Sequence, residues 1–381
     1  MKAAPSSGKG LGHIPSLDGI RAASFLLVFF GHAVPTWMSR YIPPGFGVTV
    51  FFVLSGFLIT TLLRLEYDET GTISLKNFYL RRSLRILPPF YICLGLSALL
   101  VKAGVLGGSL EAGPMAALAA HVGNYWQIFR GFDGAPEGTT VYWSLAIEEH
   151  FYLFFPLLYL GLRRALPKTR HQAAALLGIC AVVLLWRIIL TSFFHPSVDR
   201  MARATDTRVD LIIFGCVLAI AANPILDPTS WSEARWKYVV LPLAACGLLS
   251  TWLIRTPLFH DAIRGTIHGL ALCPFFIVAV RYPRWAPMRI FNTRVASFLG
   301  VLSFTLYLAH RAVLATFETT LHAPWWARMI AGLLISILFA WGMHVLVERP
   351  CAQLRKKLSA VSAEVPVPAP AERTLARRRT V

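Results

Sequence analysis

Charge is scarce in this chain, and acidic charge scarcest. Only 15% of its 381 residues are charged, and 37 lysines and arginines stand against 19 aspartates and glutamates. A soluble domain carries about 25% charged residues, so a large soluble core is a poor account of a chain with mean hydropathy +0.58. Cysteine does little: Cys93, Cys180, Cys216, Cys246, Cys273 and Cys351 are scattered, mostly inside apolar runs, with no CxxC pair. That spacing supports neither a disulfide framework nor a zinc site and suits buried small apolar residues. No Walker A loop, HExxH pair or GxGxxG before a βαβ unit occurs. ATP coupling, zinc proteolysis and a Rossmann dinucleotide site are therefore unsupported, and no metal is expected. The N-terminal MKAAPSSGKGLGHIPS has no short apolar region with a cleavage site, so no removable signal peptide is expected. No internal repeat is found, which weighs against a repeat-built transporter.

What the chain has instead is apolar residues gathered into runs near the 20-residue length of a membrane span. The runs cover approximately 17–35, 46–65, 86–105, 142–161, 173–194, 206–222, 237–254, 263–280, 297–317 and 326–346. The expected architecture is an all-α polytopic transmembrane bundle of about ten spans. The net charge of +18 would suggest nucleic-acid binding in a soluble protein. Here the basic residues cluster at the ends of apolar runs, so they read as topology signals, with the lipid bilayer as partner and no nucleic acid.

A further stretch, 114–130, has a short apolar run and contains His121, Asn124, Gln127 and Arg130. If it does not span and the N-terminus is cytoplasmic, the inner segments carry 25 of the 37 lysines and arginines and the outer segments seven. If it spans, every later loop flips and the sets RRALPKTRH and RYPRWAPMRIFNTR face outward, against the positive-inside rule. The expectation is ten spans, both termini cytoplasmic, and 114–130 as a re-entrant or surface segment outside. Three regions follow: a flexible N-terminus over 1–13, a membrane domain over 14–350, and a basic, largely disordered cytoplasmic tail over 351–381.

Ionisable residues inside the apolar runs are the candidates for function, because each costs roughly 2.5–3.5 kcal/mol on insertion scales. LDGIRAASFLLVFFGHAV holds Arg21 and His32, eleven residues and about 16 Å apart along a helix. Arg21 is expected near the cytoplasmic face and His32 near the middle. A histidine there can move a proton near neutral pH or attack an acyl group. LRRSLRILPP holds Arg81, Arg82 and Arg85 on one helical face, suited either to phosphate groups or to a topogenic cluster beside lipid headgroups. VYWSLAIEEHFYLFFP sets Ser144 and Glu148 one turn apart. Glu148 could orient His32, pair with an arginine or bind an acceptor hydroxyl; Ser144 lacks the GxSxG elbow of a nucleophile. TRVDLIIFG holds Arg208 and Asp210 at the outer end of a span, LSFTLYLAHRAV holds Tyr307, His310 and Arg311, and VERP holds Glu348 and Arg349. Each of these last three alone is more often a cap or a helix contact.

Taken in order, IPSLDGIRA with Arg21 and His32, FGVTVFFVLSGFLI, the RRSLR–ILP block, YWSLAIEEHFYL, RVDLIIFG, LSFTLYLAHRAV and VERP resemble the membrane acyltransferase-3 family of bacterial O-acyltransferases. The resemblance runs over about residues 14–350. It implies transfer of an acyl group, by default acetyl, from cytoplasmic acyl-CoA to a hydroxyl of a glycan or lipid-linked saccharide such as lipopolysaccharide, exopolysaccharide, peptidoglycan or an oligosaccharide. Acetyl-CoA would be a co-substrate, with no permanently bound cofactor, and the site a multi-pass protein of the bacterial inner membrane. The family's arginine–histidine signature maps onto Arg21 and His32, its RRxxR motif onto Arg81, Arg82 and Arg85, and its SxxxE motif onto Ser144 and Glu148. His32 would be a general base or a transient acyl acceptor, with Glu148 and Arg21 assisting. Ser144, Arg208, Asp210 and His310 are the candidates for contact with the acceptor. Many relatives carry an extra extracytoplasmic hydrolase-like domain; this chain is expected among those without one. The competing readings are a transporter or exporter of a glycan or acylated molecule, and an assembly subunit whose charges only pack helices.

Overall fold

The computed structural model describes residues 13–39 and 41–355. All regular structure among them is helical, apart from one isolated bridge between Gly108 and Pro136. The longer helices are α1 (Pro15–Ala33), α2 (Pro44–Thr70), α3 (Leu75–Lys102), α4 (Ala112–Ala119), α5 (Gly123–Arg130), α6 (Trp143–Ala165), α7 (Thr169–Ile189), α8 (Thr205–Ala221), α9 (Leu241–Leu253), α10 (Arg264–Arg281), α11 (Arg294–Thr320) and α12 (Trp325–Met343). Every one of the ten apolar runs is helical. Eight helices among the described residues are long and apolar enough to cross a membrane: α2, α3, α6, α7, α9, α10, α11 and α12, several with extensions at their ends. The expected N-terminal segment 1–13 lies outside the described residues except for His13, as does 356–381 of the expected tail. Residues 351–355 continue the last helix, which runs from Trp325 to Arg355.

The two runs that fall short of that standard are the most instructive. α8 has only 17 residues, and α1 has 19 but carries Asp18 and Arg21. Both are wrapped by other helices: α1 lies against α2 and α11, and α8 against α2, α7 and α10. α8 buries nearly every residue from Asp210 to Ile220. Their polar and short character is tolerated because neighbouring helices, not lipid, surround them. α9 and α12, by contrast, expose Leu243, Leu249, Leu334 and Leu338. Such apolar exteriors suit a hydrocarbon surround.

The stretch 114–130 is broken. α4 and α5 have eight residues each, about 12 Å of helix, and His121 between them has a positive φ of 57°. Neither is long enough to cross.

Small residues set the closest helix crossing. A Cβ on Gly215 of α8 would lie 2.0 Å from the Val53 carbonyl oxygen of α2. Without a hydrophobic drive between helices in lipid, such close packing supplies much of the association. Gly215→Ala is expected to cost about 1–3 kcal/mol through overpacking, read as a lower thermal midpoint in detergent. An unchanged midpoint would mean that α2 and α8 separate freely.

Candidate functional site

The site starts from how α1 is seated. A Cβ on Gly300 of α11 would lie 2.0 Å from the Asp18 carbonyl oxygen of α1. The two backbones therefore touch near the start of each helix and run on together. At the far end this brings His32 to His310. His32 Nδ1 is 3.1 Å from His310 Nε2, with ring centroids 5.3 Å apart. His310 is fully buried, and its Nδ1 is 2.7 Å from the Tyr307 carbonyl oxygen. That carbonyl can only accept, so Nδ1 of His310 carries the hydrogen and its Nε2 is the acceptor. His32 must then donate from Nδ1, which leaves its Nε2 with a free lone pair. One buried neighbour thus selects the tautomer of the half-buried histidine, as a proton-transfer group requires. His32 itself occupies the last turn of α1. The helix begins only at Pro15, so Arg21 sits in its second turn and the remaining length ends just past His32.

A cavity of about 100 Å³ opens between α1, α2, α3, α6 and α11, lined by Arg21, Arg82, Arg85, Ser144, Glu148 and Tyr152, with Tyr307, Phe51 and Phe52. Five separate sequence motifs meet there. Tyr152 donates to Glu148 at 2.9 Å, lies in hydrogen-bond contact with Ser55, and carries the Arg82 guanidinium over its ring at 5.2 Å. The Tyr307 and Ser144 hydroxyls are 2.6 Å apart, and both reach the Val141 carbonyl, which accepts, Tyr307 at 2.9 Å and Ser144 at 3.3 Å.

A wider vestibule of about 280 Å³ adjoins this cavity and shares Arg21, Arg85, Ser303 and Phe304 with it. Its acids are already engaged. Asp18 accepts from Arg21 at 2.7 Å, and Glu348 accepts from Thr305 at 2.6 Å and pairs with His344 at 2.8 Å. Arg85, Arg349 and Arg355 also line the vestibule. None of the three is in an ion pair among the described residues. The arrangement offers a basic mouth leading to a narrow, partly aromatic interior, which suits a long ligand with anionic groups at one end.

Several sequence assignments change. Arg81 pairs with Glu66 at 2.8 Å and lines neither cavity, so the expected three-arginine face splits: Arg82 points inward, Arg85 bridges both spaces and Arg81 turns away. Glu148 makes no hydrogen bond to His32; its partner is Tyr152, and the partner of His32 is His310. His310, expected at the acceptor, is sealed behind His32. The Ser144 hydroxyl is engaged by Tyr307 and the Val141 carbonyl, which weakens it further as a nucleophile. Asp210 is fully buried, pairs with Arg187 at 2.8 Å and is absent from the lining of the inner cavity, the vestibule and the cavity beside Arg208. Arg208 instead donates to Thr49 at 3.2 Å and lines a separate cavity near the His32 end.

Three participants escaped the sequence reading. Tyr152 is one turn beyond Glu148, and its i+4 position could have revealed it. Arg187 and Arg355 carried no local signal, since only tertiary packing brings them to Asp210 and to the vestibule. Cys93, Cys180 and Cys216 are buried as expected, whereas Cys246 is exposed. No group of three or more histidine, cysteine or acidic residues able to hold a metal occurs among the described residues.

Comparison with known proteins bears on this geometry. The family model described as acyltransferase domain matches residues 14–345. A protein of Staphylococcus aureus (strain COL), provisionally named an O-acetyltransferase, is 31% identical over 324 residues, which covers 81% of this chain and 52% of that protein. The O-acetyltransferase OatA of Staphylococcus aureus (strain NCTC 8325 / PS 47) is 31% identical over 317 residues, covering 79% of this chain and 51% of that protein. The chain therefore spans about half the length of the curated relatives it matches. No solved structure matches it.

Proposed function

Because the chain belongs to the acyltransferase domain family, whose model matches residues 14–345, we propose that it is a multi-pass O-acetyltransferase of the bacterial inner membrane. It takes acetyl from cytoplasmic acetyl-CoA and transfers it to a hydroxyl of a glycan or lipid-linked saccharide. The proposed topology has ten spans, α1 and α8 included, with both termini on the CoA side.

The observation that carries this reading is the joined pair of cavities, basic at the mouth and narrow within, which share Arg21 and Arg85. Arg85, Arg349 and Arg355 hold the CoA phosphates through planar, multidentate hydrogen bonds. The thiol arm passes Arg21 into the inner cavity, where Glu148 and Tyr152 meet its amide groups. Beyond Tyr307 the acyl carbonyl reaches His32. The Nε2 lone pair takes the proton of the acceptor hydroxyl as its oxygen attacks the carbonyl carbon. The C–S bond breaks, and the proton passes to the departing thiolate. The same lone pair could first accept the acyl group and then release it to the hydroxyl.

Purified protein in detergent with radiolabelled acetyl-CoA and a candidate glycan is expected to consume the donor and label the glycan. A transporter consumes none, so an inert donor overturns the reading. The two arginine environments make a finer expectation. Arg85→Ala is expected to raise KM for acetyl-CoA about tenfold, the loss of one charge-assisted contact. Arg81→Ala should leave KM within about twofold, since Arg81 is paired with Glu66 and lines neither cavity. An unchanged KM at both positions would return the block to a topogenic role.

A further inference from the structure

A second cavity, of about 170 Å³, opens at the end of the bundle where α1 hands over to α2. It is set apart from the inner cavity by the edge contact of Phe52 with Trp143, whose ring centroids are 6.2 Å apart. Thr49 and Trp143 line it, while their chain neighbours Val48 and Ser144 line the inner cavity. It also abuts the turn that holds His32. A Cβ on Gly31 would fall 2.7 Å from the Ile42 carbonyl and 2.8 Å from the Pro44 ring, and Pro43 and Gly45 edge the cavity.

Its lining is strongly one-sided. Arg208, Arg255 and Arg264 line it together with Trp143, Trp252 and His268, and no carboxylate does. None of the three arginines is in an ion pair among the described residues. The nearby acids are committed elsewhere: Asp210 to Arg187 at 2.8 Å, and Asp261 to His260 at 2.7 Å. Arg208 also has a buried Nε with no hydrogen-bond partner. Arg208 and Arg264 are partly buried and Arg255 is exposed, and a partly buried guanidinium without counter-charge is costly unless something pairs with it. An orphaned buried donor beside an open space points to a ligand acceptor. Two tryptophan rings beside those cations offer flat apolar faces to a ring-shaped ligand.

We infer that this second cavity is the acceptor site and that the acceptor is a saccharide bearing an anionic group, a carboxylate or a phosphate, held by Arg208 and Arg264 with Arg255 at the mouth. The identity of the ligand as acceptor rests on the acetyl-transfer reading; the sign of its charge rests on the cavity alone.

The test is equilibrium dialysis of radiolabelled D-glucuronate, glucose 1-phosphate and D-glucose against the full chain in neutral detergent free of anionic lipid. Both anionic sugars are expected to bind at least about tenfold more tightly than glucose, the value of one charge-assisted hydrogen bond. Arg208→Gln and Arg264→Gln should each reduce that preference severalfold, and Arg264→Lys should retain most of it; size-exclusion profiles check that each variant is folded. Equal binding of charged and neutral sugars, no binding of either anionic sugar, or a preference that survives both glutamine variants would overturn the inference. So would retention of phosphatidylglycerol by the cavity with no uptake of the free anionic sugars, which would make it a lipid-headgroup site. Failure to consume acetyl-CoA would overturn the transfer reading and leave the binding ratio untouched. Transfer with a neutral-sugar preference would do the reverse.

Discussion

His32→Ala is expected to lower acetyl transfer by about 10²–10⁴-fold, the usual contribution of a positioned proton-transfer group, while donor binding and thermal midpoint stay close to those of the parent. His32 is half-buried at a helix end and makes one side-chain hydrogen bond, to His310. Its removal therefore takes away chemistry and little packing. The stronger statement concerns His310. The chain from the Tyr307 carbonyl through His310 to His32 leaves only one hydrogen arrangement when both rings are neutral. His310→Phe keeps an aromatic ring but supplies no acceptor for Nδ1 of His32, so the tautomer is no longer selected. Turnover should fall about tenfold or more with KM little changed, since the loss appears in a step after binding. His310→Gln keeps an acceptor oxygen and should recover a clear part of that loss. Equal activity of the phenylalanine and glutamine variants would reduce His310 to a packing residue. Full transfer in His32→Ala would remove His32 from the reaction.

Asp210→Ala is expected to destabilise the protein by about 3–5 kcal/mol, because it strands a buried guanidinium. Arg187 is 2% exposed and Asp210 0%, at 2.8 Å from each other. Arg187 also donates to the Thr207 carbonyl at 2.9 Å and to Thr266 at 2.7 Å, so it ties α7 to α8 and α10 across the interior. The double variant Arg187→Met with Asp210→Leu removes both charges and should recover most of the lost stability, since an apolar pair of similar volume is often no worse than a buried ion pair. Folded yield and thermal midpoint in detergent read the effect. An Asp210→Ala protein that keeps its midpoint and loses only transfer would put Asp210 back at the acceptor.

These two cases mark where local pattern succeeds and where it stops. Arg21, His32 and Glu148 were visible because an ionisable side chain in an apolar run carries an energetic cost that needs a reason, and Arg85 because it belongs to a basic cluster on one helical face. Their partners were not visible in the same way. The neighbour of His32 stands 278 positions away in sequence, and nothing in LSFTLYLAHRAV says which ring nitrogen faces whom. Arg81 and Arg85 look alike in RRSLR; Glu66 on the neighbouring helix is what separates them. Arg208 and Asp210 are two residues apart and point to different places, one toward a cavity and one toward Arg187.

By itself the sequence determined the all-α character, the positions of the apolar helices and the family, because run length and hydropathy are local properties that lipid reads directly. Tertiary structure alone decided which ionisable groups are spent on each other and which face open space. That choice depends on how α1, α2, α8 and α11 cross, and the crossings depend on glycines such as Gly215 and Gly300 that let backbones touch. A shift of a single helical turn at such a contact would give His32 and Asp210 other partners without changing one residue of any motif.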